Sequence, residues 1–62
     1  MKLKFEKNDR DYDVFNKRRE LLGNISFHDD WKCWVWEQEP HTVMSSGCLT
    51  QVINFLEGKE DV

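Results

Sequence analysis

The sequence predicts a small α+β domain: an antiparallel β-meander of four to five strands, with one C-terminal helix packed on one face of the sheet. Short runs of alternating apolar and polar residues, separated by polar turns, fill most of the chain, and such alternation is typical of strands with one buried face. The final segment instead carries apolar residues at helical spacing. A length of 62 residues, with 39% hydrophobic and 34% charged, indicates a single globular domain covering residues 1–62.

The first two strands form a predicted hairpin. Leu3 and Phe5 alternate with charged residues in "KLKFEK", and Tyr12 and Val14 alternate with polar ones in "DYDVFN". The cluster "NDRD" between them favours a turn, because Asn and Asp tolerate left-handed backbone angles. A two-residue loop at "ND" sets Phe5 opposite Tyr12 and Leu3 opposite Val14, so that all four side chains share one face.

The third predicted strand, "ELLGNISFH", extends the same apolar face. Leu21, Gly23, Ile25 and Phe27 recur at a period of two residues. A two-residue loop at the first "KR" of "NKRRE" places Val14 opposite Leu21. The neighbouring Leu22 then points to the other side of the sheet.

The fourth strand, "WKCWVWE", has apolar side chains on both faces, so the length of the preceding loop decides which set is buried. A loop with an even number of residues places Ile25 opposite Trp34 and Gly23 opposite Trp36. We favour this loop because it continues the pattern of the first two hairpins and lets large rings cover the glycine. A loop of odd length would bury the alternate set: Trp31, Cys33 and Val35.

A short fifth strand, "TVM", follows the loop "QEPH" and aligns Val43 with Trp36. The helix is predicted in "SSGCLTQVINFLEGKE", where Ser45 or Ser46 caps the first turn. Gly58 is expected to end the helix, since glycine adopts left-handed angles freely. The terminal "KEDV" is expected to fray.

These registers predict a core and an open sheet face. The predicted core residues are Leu3, Phe5, Tyr12, Val14, Leu21, Ile25, Phe27, Trp34, Trp36, Val43, Leu49, Val52, Ile53 and Leu56. The predicted apolar residues of the open face are Phe15, Leu22, Trp31, Cys33, Val35 and Met44. One helix cannot cover both sides of the sheet, so the second set is expected to stay exposed.

Charge and composition narrow the classes of function. A net charge of -3 and a pI near 5.2 argue against a dedicated DNA-binding module, which presents a basic face. The N-terminal "MKLKFEKNDR" has no apolar segment typical of a signal peptide, and no apolar run reaches membrane-spanning length. Two cysteines are few for a small secreted domain. We therefore expect a cytoplasmic protein with reduced thiols and no membrane contact.

Candidate chemical sites are weak in this sequence. His28, Cys33, His41 and Cys48 are suitable zinc ligands, but their spacing differs from the close pairs of structural zinc sites. Cys48 precedes a helix, where the dipole favours a thiolate, yet nothing in the sequence supplies a positioned base. The three glycines are isolated and form no phosphate-binding loop. We expect no enzymatic activity, no metal, no cofactor and no small-molecule ligand.

Two segments resemble short uncharacterised proteins encoded in bacteriophage and prophage genomes. They are "LLGNISFHDDWKCWVWE" and "VMSSGCLTQVINFLEG", and the resemblance covers residues 20–58. It implies a small accessory protein that modulates a host or phage complex. It transfers no catalytic or binding residue.

An exposed apolar sheet face indicates a protein-binding or self-associating module, with a homodimer as one form of it. The predicted contact residues are Trp31, Val35, Leu22 and Phe15, with Arg18 and Arg19 at the rim. The alternative is a single-stranded nucleic-acid binder that stacks bases on Trp31 and uses the basic turn "NKRRE". Trp, Tyr and Arg dominate the energetics of protein interfaces, which favours the first hypothesis.

Overall fold

The computed structural model describes residues 2–60 and has a four-stranded antiparallel sheet with one helix packed on it. The sheet is a meander in the order β1-β2-β3-β4. The elements are β1 (Lys4–Asn8), β2 (Asp11–Phe15), β3 (Leu21–His28), β4 (Cys33–Gln38) and α1 (Ser46–Glu60). The predicted α+β class and meander topology are therefore confirmed.

The strands pair two residues further along than the sequence predicted. Phe5 pairs with Val14, Val14 with Gly23, and Ile25 with Trp36. A shift of two residues leaves side chains on their original face, because side chains alternate with a period of two. The predicted faces are therefore correct while the predicted partners are wrong.

The β3–β4 loop has four residues, 29–32, since His28 pairs with Cys33. The prediction of a loop of even length is confirmed. Trp34 and Trp36 therefore lie on the face that carries the helix. The opposite side of the sheet, which we call the open face, carries Cys33 and Val35.

Backbone angles in the turns explain the shifted partners. Asp9 has φ 59° and Lys32 has φ 58°, left-handed values that favour turn positions. The turn of the first hairpin is at residues 9–10, one position later than predicted. In the β3–β4 loop the Lys32 N–H donates to the carbonyl of His28 at 2.7 Å. Each of these turns is therefore centred one residue later than predicted, and this moves the partner of each strand residue by two positions.

A β-bulge at the start of β3 reverses the predicted roles of two leucines. Leu21 pairs with Phe15, whereas Gly23 pairs with Val14, so Leu22 has no residue opposite it on β2. The extra residue turns Leu22 into the core, where 6% of it is exposed, and leaves Leu21 40% exposed. The predictions of Leu21 as core and Leu22 as open-face residue are both wrong for this reason.

Gly23 is covered by the indole of Trp36. A Cβ atom at Gly23 would lie 2.4 Å from Cη2 of Trp36 and 2.5 Å from the carbonyl oxygen of Glu37. Only glycine leaves room for this approach of ring to strand. The expectation that a large ring covers this glycine is confirmed for Trp36; Tyr12 instead pairs with Ile25.

The chain turns away after β4, and residues 2–60 contain no fifth strand. Glu39 accepts hydrogen bonds from the N–H and the hydroxyl of Thr42, at 3.4 and 2.7 Å, and His41 has φ 67°. The backbone carbonyl of Glu39 and the N–H of Thr42 are thus bonded to each other within the turn and do not pair with a neighbouring strand. Val43, predicted as core, is 92% exposed, and Met44 packs against the core rather than on the open face.

Helix α1 begins with a serine cap: the Cys48 N–H donates to the hydroxyl oxygen of Ser45 at 3.2 Å. Its buried stripe includes Cys48, Val52 and Phe55, which follow one another at intervals of four and three residues. Leu49 and Ile53, predicted as core, lie beside this stripe and are exposed. The helix is thus rotated about its axis relative to the prediction.

The last turn of the helix docks on the sheet through Lys59. Its ammonium donates a hydrogen bond to the hydroxyl of Tyr12 and lies 4.2 Å from the centroid of that ring. It is also 5.7 Å from the Trp34 ring and 5.5 Å from the Phe55 ring. The helix continues to Glu60, so Gly58 does not end it as predicted. Residues 61–62 of the predicted frayed tail lie outside the described residues.

The core is small and lies between the helix and the sheet. Its buried members are Leu3, Val14, Leu22, Ile25, Cys48 and Val52. Half-buried aromatic residues extend it, and the rings of Phe5 and Phe55 stack at 4.4 Å and 3°. Within residues 2–60, no helix combines the length and apolar character needed to cross a membrane.

Candidate functional site

Trp31 is an exposed aromatic side chain that stacks on a neighbouring ring. It lies in the β3–β4 loop and is 70% exposed. Its indole stacks on the imidazole of His28, with centroids 4.4 Å apart and planes at 23°. Its backbone N–H donates to Nδ1 of His28 at 3.2 Å. Trp31 is therefore both exposed and held in place.

The hydrogen bond from Trp31 orients the imidazole of His28. Nδ1 accepts the backbone N–H of Trp31, as a ring nitrogen without a proton can. Together with the stacking of the two rings, this bond joins the β3–β4 loop to the end of β3.

The other face of the same hairpin carries a second aromatic pair. Phe27 and Trp34 pair across the strands, with ring centroids 5.8 Å apart and planes at 77°. Phe27, predicted as core, is exposed because it lies at the end of the sheet. We call Phe27, His28, Trp31 and Trp34 the hairpin tip, since together they present aromatic rings on both faces of one sheet end.

The predicted binding residues do not form one patch. Val35 lies on the open face near the hairpin tip, and Phe15 lies on the same face beside Leu21 at the other end of the sheet. Leu22 is buried by the bulge and is no part of this surface. A polar row separates the two apolar groups, and it consists of Glu6, Asp13, Asn24 and Glu37.

The basic turn lies far from Trp31. Arg18 and Arg19 precede β3 and Trp31 follows it, so the eight-residue strand separates them by about 23 Å. The guanidinium of Arg19 lies 5.7 Å from the Phe15 ring centroid and 3.7 Å from Oε2 of Glu6. The arginines therefore do not form a rim around Trp31, which corrects the predicted placement.

Asn16 shapes this basic turn through its side chain. Its Oδ1 accepts the backbone N–H groups of Arg18 and Glu20 at 2.9 and 3.0 Å, and its Nδ2 donates to Oε1 of Glu20 at 2.8 Å. The surrounding open depression is lined by polar and charged residues: Asn16, Lys17, Arg18 and Glu20. The turn is a solvated, hydrogen-bonded unit.

The centre of the open face is acidic. Asp13 accepts hydrogen bonds from the side-chain amides of Asn8 and Asn24, each at 3.2 Å. Asp11 and Glu37 lie on the same face, and the loop that presents Trp31 contains two further acids, at residues 29–30. This charge distribution repels a phosphate backbone.

The residues considered for zinc or thiol chemistry are not gathered into a site. His28 and Cys33 face each other across β3 and β4, whereas Cys48 is buried under the helix. Both thiols are free. Within residues 2–60, no three His, Cys, Asp or Glu side chains come together in a way that could hold a metal ion.

Sequence reasoning identified Trp31 but missed His28 as its stacking partner and Phe27 as an exposed ring of the hairpin tip. The spacing held a usable signal, because His28 and Trp31 are three residues apart across a turn. That separation lets the side chain of the first residue accept a backbone N–H of the fourth. Phe27 was missed because its position on the helix-bearing face suggested burial.

Comparison with family models, curated proteins and solved structures finds no match to this chain. The resemblance to phage-encoded proteins therefore stays a prediction.

Proposed function

We propose that this chain is a non-enzymatic protein-binding module whose contact surface is the hairpin tip, centred on Trp31. The observation that supports this most is the fixed position of an indole that remains 70% exposed. Binding through an already ordered side chain avoids most of the entropy cost of immobilising it. Tryptophan is also the residue type most enriched among the dominant contacts of protein interfaces.

The chemistry of the tip indicates the partner's complementary surface. The exposed ring of Trp31 favours an apolar pocket, and the neighbouring acids of residues 29–30 favour basic groups around it. The accessory role implied by the resemblance to phage-encoded proteins agrees with a small module that binds a larger protein. The acidic open face and the distant arginines weigh against the nucleic-acid alternative.

Substitution of Trp31 tests the proposal. We expect Trp31→Ala to weaken partner binding by about 2 kcal/mol or more, roughly 30-fold, as for a dominant interface residue. Its effect on the free energy of unfolding should be below about 1 kcal/mol, because the side chain is mostly exposed. The measurements are affinity capture from lysate with mass spectrometry, followed by titration of the captured protein.

Val43→Ala is the matched control, because Val43 is even more exposed but lies outside the hairpin tip. A protein captured by the wild type and by Val43→Ala, and lost with Trp31→Ala, supports the proposal. Equal capture by all three proteins contradicts the location of the surface. Capture that disappears with nuclease contradicts the protein-binding function and favours the nucleic-acid alternative.

A further inference from the structure

We propose that β4 is the two-fold interface of a homodimer, in which the β4 strands of two copies pair antiparallel and the exposed flank of helix α1 packs beside them. This surface shares only Trp34 with the hairpin tip, through its backbone, and does not depend on the side chain of Trp31. It joins two features that the single chain leaves unused. One is the free edge of the sheet, and the other is the apolar pair Leu49 and Ile53.

The hydrogen-bond pattern shows which groups of β4 face outward. The Glu39 N–H donates to the carbonyl of Leu22 at 2.9 Å, which makes these two residues a hydrogen-bonded pair. Such pairs alternate along an antiparallel ladder, so Glu37 and Val35 also bond to β3. The backbone groups of Trp34, Trp36 and Gln38 therefore point away from β3, towards the free edge.

The chain after β4 leaves this edge open. His41, Thr42 and Val43 line a depression together with residues of the β2–β3 turn and Leu22. They therefore cross the end of the sheet rather than running along β4. Within residues 2–60, the sheet ends at β4 on this side.

The contacts of helix α1 orient its apolar flank towards the same edge. Phe55 stacks on Phe5 of β1, and the side chain of Gln51 accepts the N–H of Leu3 at 2.9 Å. One flank of the helix thus faces β1. The other flank, which carries Leu49 and Ile53, faces β4, the strand to which the helix lies nearest. Ile53 is 53% exposed there.

The two edges of the sheet differ in their protection against pairing. β1 reads "KFEKN", and its three charged residues are typical of an edge that avoids another strand. β4 reads "CWVWEQ" and has one charge. An edge this apolar is an aggregation hazard unless a partner occupies it, and a chain with so small a core gains stability from association.

The charges at the ends of β4 favour a second copy as the occupant. Lys32 precedes the strand and Glu37 lies near its end. Antiparallel pairing that sets Val35 opposite its own copy brings Lys32 of each chain beside the Glu37 end of the other. The outward backbone groups of Trp34 then bond to those of Trp36 of the second copy, and the helix flanks meet across the axis.

The mass in solution tests this dimer. We expect the wild type to sediment at twice the 7.5 kDa chain mass. Ile53→Lys places a charge on the apolar flank and should raise the dimer dissociation constant at least tenfold while circular dichroism shows an unchanged fold. Asn54→Lys adds the same charge on the far side of the helix and should leave the dimer intact. Trp31→Ala should also remain dimeric, which separates this proposal from the Trp31 contact.

A designed disulfide tests the register. Val35 pairs with its own copy at a position without backbone hydrogen bonds, where a cross-strand disulfide fits best. Val35→Cys in a Cys33→Ser background should therefore form a covalent dimer with oxidised glutathione, and Asn54→Cys in the same background should not. A wild type that stays monomeric up to millimolar concentration would overturn the proposal. So would a dimer that is unaffected by Ile53→Lys and is not linked through Val35→Cys.

Discussion

The contact between Tyr12 and Lys59 ties the end of the helix to the middle of the sheet. The ammonium of Lys59 donates to the phenol oxygen and lies against three aromatic rings, so its long side chain covers apolar surface while its charge is partnered. Nothing in the sequence predicted this contact, because the two residues are 47 positions apart. In the sequence, Gly58 indicated that the helix ends before Lys59.

Tyr12 should ionise at lower pH than an ordinary tyrosine. The hydrogen bond from Lys59 favours the phenolate and lowers the pKa of Tyr12 below 10.0, against the opposing effect of burial; the charges of Lys59 and Lys7 lower it further. The pKa of Tyr12 is thus lower in the folded state than in the unfolded state. The contribution of the Tyr12 ionisation to the free energy of unfolding therefore grows as pH rises from the folded-state pKa to the unfolded-state pKa. The chain has one tyrosine, so the ultraviolet absorbance of tyrosinate reports this group alone.

Lys59→Met should return the pKa of Tyr12 towards 10.0, whereas Lys7→Met should change it less, because Lys7 is the weakest of the four causes. A Tyr12 pKa that is the same in the wild type and in Lys59→Met would show that the helix end is not docked on Tyr12 in solution.

At the scale of the strands, the sequence predicted which face of the sheet each side chain occupies better than it predicted which residues pair across neighbouring strands. Alternation of apolar residues determines which side chains share a face, and it placed Trp34 and Trp36 correctly. The partner of each residue depends instead on where the turn closes. Left-handed angles at Asp9 and Lys32 decide that, and many residues around a polar turn can adopt such angles. A bulge at Leu22 leaves no mark in the pattern, since "ELLGN" offers two leucines for one core position.

The bulge predicts opposite outcomes for two adjacent leucines. Leu22→Ala should lower the free energy of unfolding by about 2–5 kcal/mol, because it removes a buried side chain and leaves a cavity. Leu21→Ala should lower it by less than about 1 kcal/mol, because Leu21 is largely exposed. Urea denaturation with a common slope measures both. A larger loss for Leu21→Ala would mean that β2 and β3 pair without the bulge.

At the scale of the whole molecule, the sequence predicted too large a core. It assigned four helical residues to the interior: Leu49, Val52, Ile53 and Leu56. One helix can bury only one stripe, and the contacts of Phe55 and Gln51 with the β1 side rotate Leu49 and Ile53 outward. Periodicity alone does not determine that rotation. The exposed flank and the free edge of β4 therefore became visible only when the strand order and the helix position were known.

The proposed dimer makes the stability of the domain depend on its concentration. Because only the folded chain presents β4 and the Leu49 and Ile53 flank, association stabilises the folded state by mass action. If unfolding and dissociation are coupled, each tenfold rise in concentration should raise the midpoint of thermal unfolding by about 5 °C for a dimer of this size. Differential scanning fluorimetry of the three tryptophans measures the midpoint.

Ile53→Lys should unfold at a lower midpoint than the wild type at each concentration, by about 5 °C or more for a dimer weakened at least tenfold, whereas Asn54→Lys should match the wild type. Both variants carry the same added charge, so a difference between them reports the interface and not the net charge. A wild-type midpoint that does not move over two decades of concentration would mean that the small core between helix and sheet holds the fold alone. The edge of β4 would then have to be explained without a second copy.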